Sequence, residues 1–534
     1  VLVAGRDYET YLAAGLIDSA SATFKALPAS GPLIIGLVRE GTADAPAHYA
    51  GKWILDWQGD CDLALNSGSV GDIVRVNANR IEETYDPARH GANAPRLVIT
   101  RIGAAGCKDV RYYRATHEGL LAAGKVFEPA WLARMARFDI LRGMDWSGVN
   151  RALELTAAER PRANRPFYFD GRVPDSIIIR LAIEAKAALW INAPGLLWAS
   201  PTAASALRST SLTRDQKLAT VAAEGAAIIG SGERLKWARA IVAELNAQGY
   251  PLTRPLYVEQ ANEVWNTTFN HNVNLHWGVT RHLRVQFPTL RDSMRGGYGC
   301  LSGKLADAFQ QALNEGGRGA QVWTLVMGAQ TANVATTKDA FAGLKACGTA
   351  QPMARFGVAT TNYYSGAFNW KASNTLFGAR MDEASWEAKW LADAAADPAA
   401  FTVKLTDYML GPVAEQNVKW MAQQWSAHKA AAEAEGAVWI GNYEGDSHEV
   451  LNPGLAASAL GRQLFFEWHE GPGHGQVIAA AVAEMKVIDP KAIYANYAFC
   501  GSGRGPGAPW VECSHWDQSG ADNAAWDQLL KPAN

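Results

Sequence analysis

Two hydrophobic rhythms divide the chain. From about Leu33 to Val110 short apolar-polar alternations recur between turn residues, as in "LIIGLVRE", "GKWILDWQGDCDLAL", "DIVRVNAN" and "RLVITRIG", which predicts a small antiparallel β unit. Beyond about Phe127 compact apolar runs alternate with Ala-rich amphipathic stretches, the pattern of repeated βα units. Seven strands are predicted there: "FDILRGMD" (138–145), "ALWINAP" (188–194), "LYVEQANE" (256–263), "VWTLVMGAQ" (322–330), "FGVATTNYY" (356–364), "AVWIGNYEG" (437–445) and "AIYANYAFC" (492–500). Stretches such as "GERLKWARAIVAELNAQG" and "LSGKLADAFQQALNEGG" read as the intervening helices.

Seven strands at this spacing predict a (β/α)8 barrel, an α/β fold whose first strand lies near or before the N-terminus, with the β unit inserted early. A doubly wound sheet is the alternative. The expected organisation is an N-terminal segment (1–30), a β-rich accessory unit (31–126) and a catalytic barrel (127–534) with a helical insertion at about 365–411.

Charge and composition narrow the function. The 534 residues carry 50 Lys plus Arg against 52 Asp plus Glu, a net charge of -2 without long like-charge blocks, which argues against a nucleic-acid or anionic-membrane partner. No run of about 18 apolar residues predicts a membrane span. Twenty Trp and 16 Tyr exceed ordinary core needs, and flat aromatic faces stack on sugar rings. The chain starts at Val1, without a Met or a basic-then-apolar leader, which suggests an upstream segment such as a signal peptide. Six Cys fall as three sequential pairs, Cys61 with Cys107, Cys300 with Cys347 and Cys500 with Cys513, none at metal-binding spacing. Disulfides in an oxidising compartment, secreted or periplasmic, fit best.

In a barrel, catalytic groups gather at the C-terminal strand ends. Polar residues stand there: Arg142 and Asp145, Asn192, Asn262-Glu263, Tyr363-Tyr364 and Glu444. Two glutamates on separate strand ends supply what glycoside hydrolysis needs, a proton donor and a nucleophile or general base. The competing reading of Asn262-Glu263 is a helix N-terminus, where Asn caps and an early Glu meets the dipole.

These texts resemble clan A of the glycoside hydrolases, retaining enzymes on a (β/α)8 barrel. "RGMDW", "WINAP", "VEQANEVWN" and "YEGDSH" are further similar to a set of bacterial secreted proteins related to that clan, some described as cellulose-binding. The resemblance covers about residues 130–500. It implies that Glu263 is the acid/base and Glu444 the nucleophile, that Asn262 holds the sugar 2-hydroxyl, and that Arg142 and one of Tyr363 or Tyr364 keep Glu444 ionised. It also implies that no cofactor is needed. Trp146, Trp265 and His448 beside the strand ends are candidate sugar contacts, as are Asp145 and Asn192. The clan's usual aromatic platform after the last strand has no clear counterpart, Trp510 and Trp516 being the candidates.

Other motifs carry less. "HEGPGH" (469–474) has His residues five apart with Gly-Pro-Gly between them, which breaks a metal-binding helix. No G-x-S-x-G elbow supports an ester or amide hydrolase. The expected function is retaining hydrolysis of a polysaccharide or oligosaccharide. The rival is a non-catalytic carbohydrate-binding or structural protein on the same scaffold.

Overall fold

A computed structural model describes residues 14–18, 23–29, 31–36, 50–66, 69–91, 95–150, 154–160, 173–364, 367–412, 414, 416–447 and 451–496. These fall into two compact units, one within 14–135 and 173–181, the other within 136–160 and 182–496.

The first unit is an antiparallel sheet built from β1 (Ile17–Asp18), β2 (Thr23–Phe24), β3 (Leu33–Gly36), β4 (Gly51–Asn66), β5 (Asp72–Asn77), β6 (Arg80–Tyr85) and β7 (Arg96–Arg114). The order is β1-β2-β7-β4-β6-β5, with β3 also on β7. Period-two alternation sends Leu55, Trp57, Leu63 and Leu65 of β4 into one apolar cluster with Leu97 and Ile99 of β7. A disulfide joins Cys61 to Cys107 within that cluster.

The second unit contains a parallel sheet of β8 (Ile140–Arg142), β9 (Ala188–Ala193), β10 (Leu256–Gln260), β11 (Trp323–Ala329), β12 (Phe356–Tyr364) and β13 (Val438–Ser447). Its strands stand in simple sequence order from β8 to β13. Every residue of β9 is buried, as expected of a parallel strand covered on both faces.

The expected (β/α)8 barrel is not what the described residues form. Among them six parallel strands make a curled open sheet, where a (β/α)8 barrel has eight. The apolar segment Leu33–Gly36 pairs antiparallel with β7, as its place in the β unit predicts, and no described strand extends the parallel sheet beyond β8. At the other edge the last predicted strand contributes one parallel bridge, Ile493 to Gly441, with Asn442 N–H donating to Ile493 O and Ile493 N–H to Ile440 O. Residues 497–500 lie outside the described residues.

The sheet is nonetheless strongly curled. Five inter-strand gaps of about 4.8 Å would hold the edges of a flat sheet about 24 Å apart. Yet Arg142 on edge strand β8 donates to Glu444 on edge strand β13 at 2.9 Å. The concave face is lined by Ile140, Trp190, Tyr257, Val326, Ala359, Ile440 and Tyr443.

Around the sheet, the helix Met294–Glu315 is tied to Ala335–Cys347 by the Cys300–Cys347 disulfide, which closes 47 residues of sequence. Loop-closure entropy at that span is worth about 4 kcal/mol. The Cys300→Ala/Cys347→Ala variant is therefore expected to lose about that much stability, seen as a lower urea midpoint with a somewhat steeper slope, since the freed unfolded chain exposes more surface. Cys500 and Cys513 lie outside the described residues. Helices occupy the expected insertion, Glu383–Ala396 and Pro398–Leu410 among them. In "HEGPGH" one helix ends at Glu470 and the next starts at Pro472. Among the described residues no helix is long and apolar enough to cross a membrane.

Candidate active site

Local geometry at two strand ends decides what the site contains. After β10 the backbone turns sharply, with Ala261 at φ 58° and Glu263 at φ 42°. Both are in the left-handed region that side chains disfavour, a strain that persists only where surrounding structure fixes it. Two hydrogen bonds do so: Ala261 N–H donates to Ala193 O at 2.9 Å, and Asn192 Nδ2 donates to Ala261 O at 2.8 Å. Asn262 and Glu263, both buried, are presented by this turn and do not belong to a helix.

On β13 the device is a β-bulge. Asn442 pairs with Thr360 and Glu444 with the next residue, Thr361, so Tyr443 is the extra residue. Regular alternation would send Tyr443 and Glu444 to opposite faces. The bulge lets Tyr443 join the concave cluster while Glu444 also meets Arg142.

Arg142 is the hub of the site. Its Nη1 donates to Glu444 Oε2 at 2.9 Å, its Nη2 to Glu259 Oε2 at 2.8 Å and to Asn262 Oδ1 at 2.7 Å, and its Nε to Glu259 Oε2 at 3.2 Å. The guanidinium carbon also lies 4.9 Å from the Tyr443 ring centre and 5.4 Å from that of Trp190. Burial works against its charge, but Glu259 and Glu444 outweigh it and hold the cation firmly protonated.

Glu444 Oε1 accepts from Tyr363 Oη at 2.8 Å. Tyr364, the next residue, instead meets His474 Nε2 at 2.7 Å and is fully buried, so the register selects Tyr363 for the site. Across from Glu444, Glu263 accepts from neutral donors, Asn266 Nδ2 at 2.8 Å and Tyr443 Oη at 3.4 Å, while Trp265 Nε1 donates to Tyr443 Oη at 3.1 Å. Burial pushes Glu444 up to about 8, helped by the charge of Glu263 and a hydrogen bond with it, and opposed by Arg142 and Tyr363. Glu444 therefore keeps its proton through neutral pH. Burial first, then the carboxylates around it, raises Tyr443 well above the usual phenol range, so it remains a neutral donor.

Asn192 is not at a cleft wall. Fully buried, it donates to Glu259 Oε2 at 2.8 Å as well as to Ala261 O. Asn262 uses its Nδ2 on Asn150 Oδ1 at 3.2 Å. Asp145 is exposed and Trp146 half-buried on the short helix Met144–Ser147; Trp265 is half-buried. His448, Trp510 and Trp516 lie outside the described residues.

Sequence reasoning missed Glu259, Tyr443 and Trp190, because it looked for function at strand ends. A signal for Glu259 existed: a carboxylate in the apolar run "LYVEQ" is costly unless paired, which asks for a cation on a neighbouring strand.

Compared with known proteins, the chain matches no protein-family model, and no curated protein matches it significantly.

Proposed function

We propose that the protein is a retaining glycoside hydrolase that uses Glu263 and Glu444. The observation that carries this reading is the facing pair itself: two buried carboxyls from separate strand ends, one held by a cation and the other by neutral donors. One shared proton is what double displacement requires. With the proton on Glu263 and the charge on Glu444 beside Arg142, Glu444 attacks the anomeric carbon while Glu263 protonates the departing oxygen. Glu263 then takes a proton from water, and the hydroxide oxygen displaces Glu444 from the glycosyl-enzyme.

A separation of about 5–5.5 Å between the two carboxyls would mark retention and one of about 6.5–9.5 Å inversion. The set Arg142, Asn262-Glu263, Tyr363 and Glu444 is what is similar to clan A; that clan's closed barrel is no part of the proposal. The half-buried Trp146 and Trp265 and the near-zero net charge support a neutral polysaccharide or oligosaccharide as substrate. Two disulfides support a secreted or periplasmic location.

One feature favours the second reading, a binding protein without turnover: burial pushes Glu444, the group that must be ionised to attack, up to about 8. A panel of neutral polysaccharides separates the two. Hydrolysis predicts new reducing ends with wild type and none with Glu263→Ala on unactivated glycans; binding without release in the wild type selects the second reading.

A further inference from the structure

Beneath the two glutamates lies a third carboxylate that the double displacement does not use. Glu259 on β10 is fully buried, and its Oε2 accepts from Arg142 Nη2 and Nε, from Trp190 Nε1 at 2.9 Å and from Asn192 Nδ2 at 2.8 Å. The same guanidinium serves Glu444 through Nη1. One cation therefore stands between two carboxylates, and it cannot fully neutralise both.

We propose that Glu259 is a positioning residue of the same site: by holding Arg142 from below, it aims Nη1 at Glu444 and Nη2 at Asn262, and by drawing on the cation's charge it keeps Glu444 from being over-stabilised as an anion. A carboxylate paired with a cation all to itself is a poor nucleophile and a good leaving group. Sharing Arg142 leaves Glu444 more basic and reactive, and the shared frame fixes its direction of attack. The Asn192 contacts extend the same frame to the strained turn, since one amide group donates both to Glu259 and to Ala261 O. This inference rests on the two-glutamate reading for its catalytic consequence, but its physical core, the coupling of Glu259 to Glu444 through Arg142, does not.

The titratable and charged groups around Glu444 are Arg142 of β8, Glu263 after β10, Tyr363 of β12 and Tyr443 of β13, with Glu259 of β10 reached through Arg142; those around Glu259 are Arg142, Tyr443 and Tyr298, the last two neutral, with Glu444 reached through Arg142. In Glu259→Gln the side-chain shape is kept and the competing charge removed, so Arg142 acts on Glu444 alone. The titration of Glu444, followed by carboxyl carbon NMR and assigned by its disappearance in Glu444→Gln, is expected to move down by about one pH unit or more. Trp190→Phe takes one neutral donor from Glu259, which then leans harder on Arg142; the Glu444 titration is expected to move the other way, by less. This second variant decides the matter if Glu259→Gln does not fold. Where substrate is turned over, Glu259→Gln lowers kcat on the alkaline plateau, where Glu444 is ionised in both proteins, with little change in KM, and moves the acidic limb of kcat/KM to lower pH in step with the NMR titration. A Glu444 titration unmoved in both folded variants overturns the proposal whether or not the protein hydrolyses glycans. A shifted titration in a protein without hydrolysis keeps the coupling and removes only the glycosidase reading.

Discussion

Replacing Glu444 with alanine is expected to stop the proposed glycoside turnover, with kcat lower by on the order of 10⁴-fold or more and binding of the glycan retained. The size of the effect follows from the role: without the carboxylate no glycosyl-enzyme forms, and the neighbouring groups hold transition-state charge but cannot supply a nucleophile. Added azide enters the vacated face of the sugar and restores cleavage of substrates with good leaving groups, giving a glycosyl azide of inverted configuration. Glu263 behaves differently, because the acid matters least when the leaving group departs unaided. Glu263→Ala is expected to keep formation of the glycosyl-enzyme from an activated aryl glycoside and to lose cleavage of a natural glycan. Steady-state rates on both substrate types check the pair of expectations.

Arg142→Ala is expected to have the largest effect on stability, about 3–5 kcal/mol at neutral pH or above. Its side chain is 9% exposed and bridges carboxylates that are 0% and 5% exposed, so its loss leaves Glu259 and Glu444 buried without a counter-charge. The pH dependence has a definite sign. Both glutamates titrate above their ordinary value in the folded protein, chiefly through burial. The folded state is therefore favoured when they are protonated, below the unfolded carboxyl value, and that advantage is lost as pH rises through the folded values. The destabilisation of Arg142→Ala should accordingly be smaller at pH 5 than at pH 8. Denaturant unfolding at the two pH values measures it. Arg142→Lys should recover only part of the loss, because one ammonium cannot reach Glu259, Glu444 and Asn262 in the fork geometry of a guanidinium.

Much of the site was legible because its residues punctuate strand ends. Glu444, Arg142 and Asn262-Glu263 each follow an apolar run, and the structure sets Glu444 and Asn262 on the Arg142 guanidinium, with Glu263 held by Asn266 and Tyr443. What periodicity does not encode is register. Whether Tyr363 or Tyr364 faces Glu444 depends on a slip of one residue, and the bulge at Tyr443 that turns Glu444 inward is invisible to a pattern of alternating residues. Asn192 was placed among the substrate contacts, yet its buried amide braces Glu259 and the turn at Ala261.

The fold was legible as alternating β and α elements but not as a count of paired strands. An apolar run announces a strand without fixing how far it pairs: the run from 492 provides one bridge, at Ile493, and no described strand extends the parallel sheet beyond β8. A closed barrel would place the eight strand ends in a ring. The open sheet reaches a comparable convergence by curling until Arg142 and Glu444, from opposite edges, share a hydrogen bond.

The most direct test of the two-glutamate account is the configuration of the sugar at the moment of release. Proton NMR of the first-formed product, recorded before mutarotation, is predicted to show the anomeric configuration of the bond that was cut; product of the opposite configuration would contradict a glycosyl-enzyme on Glu444.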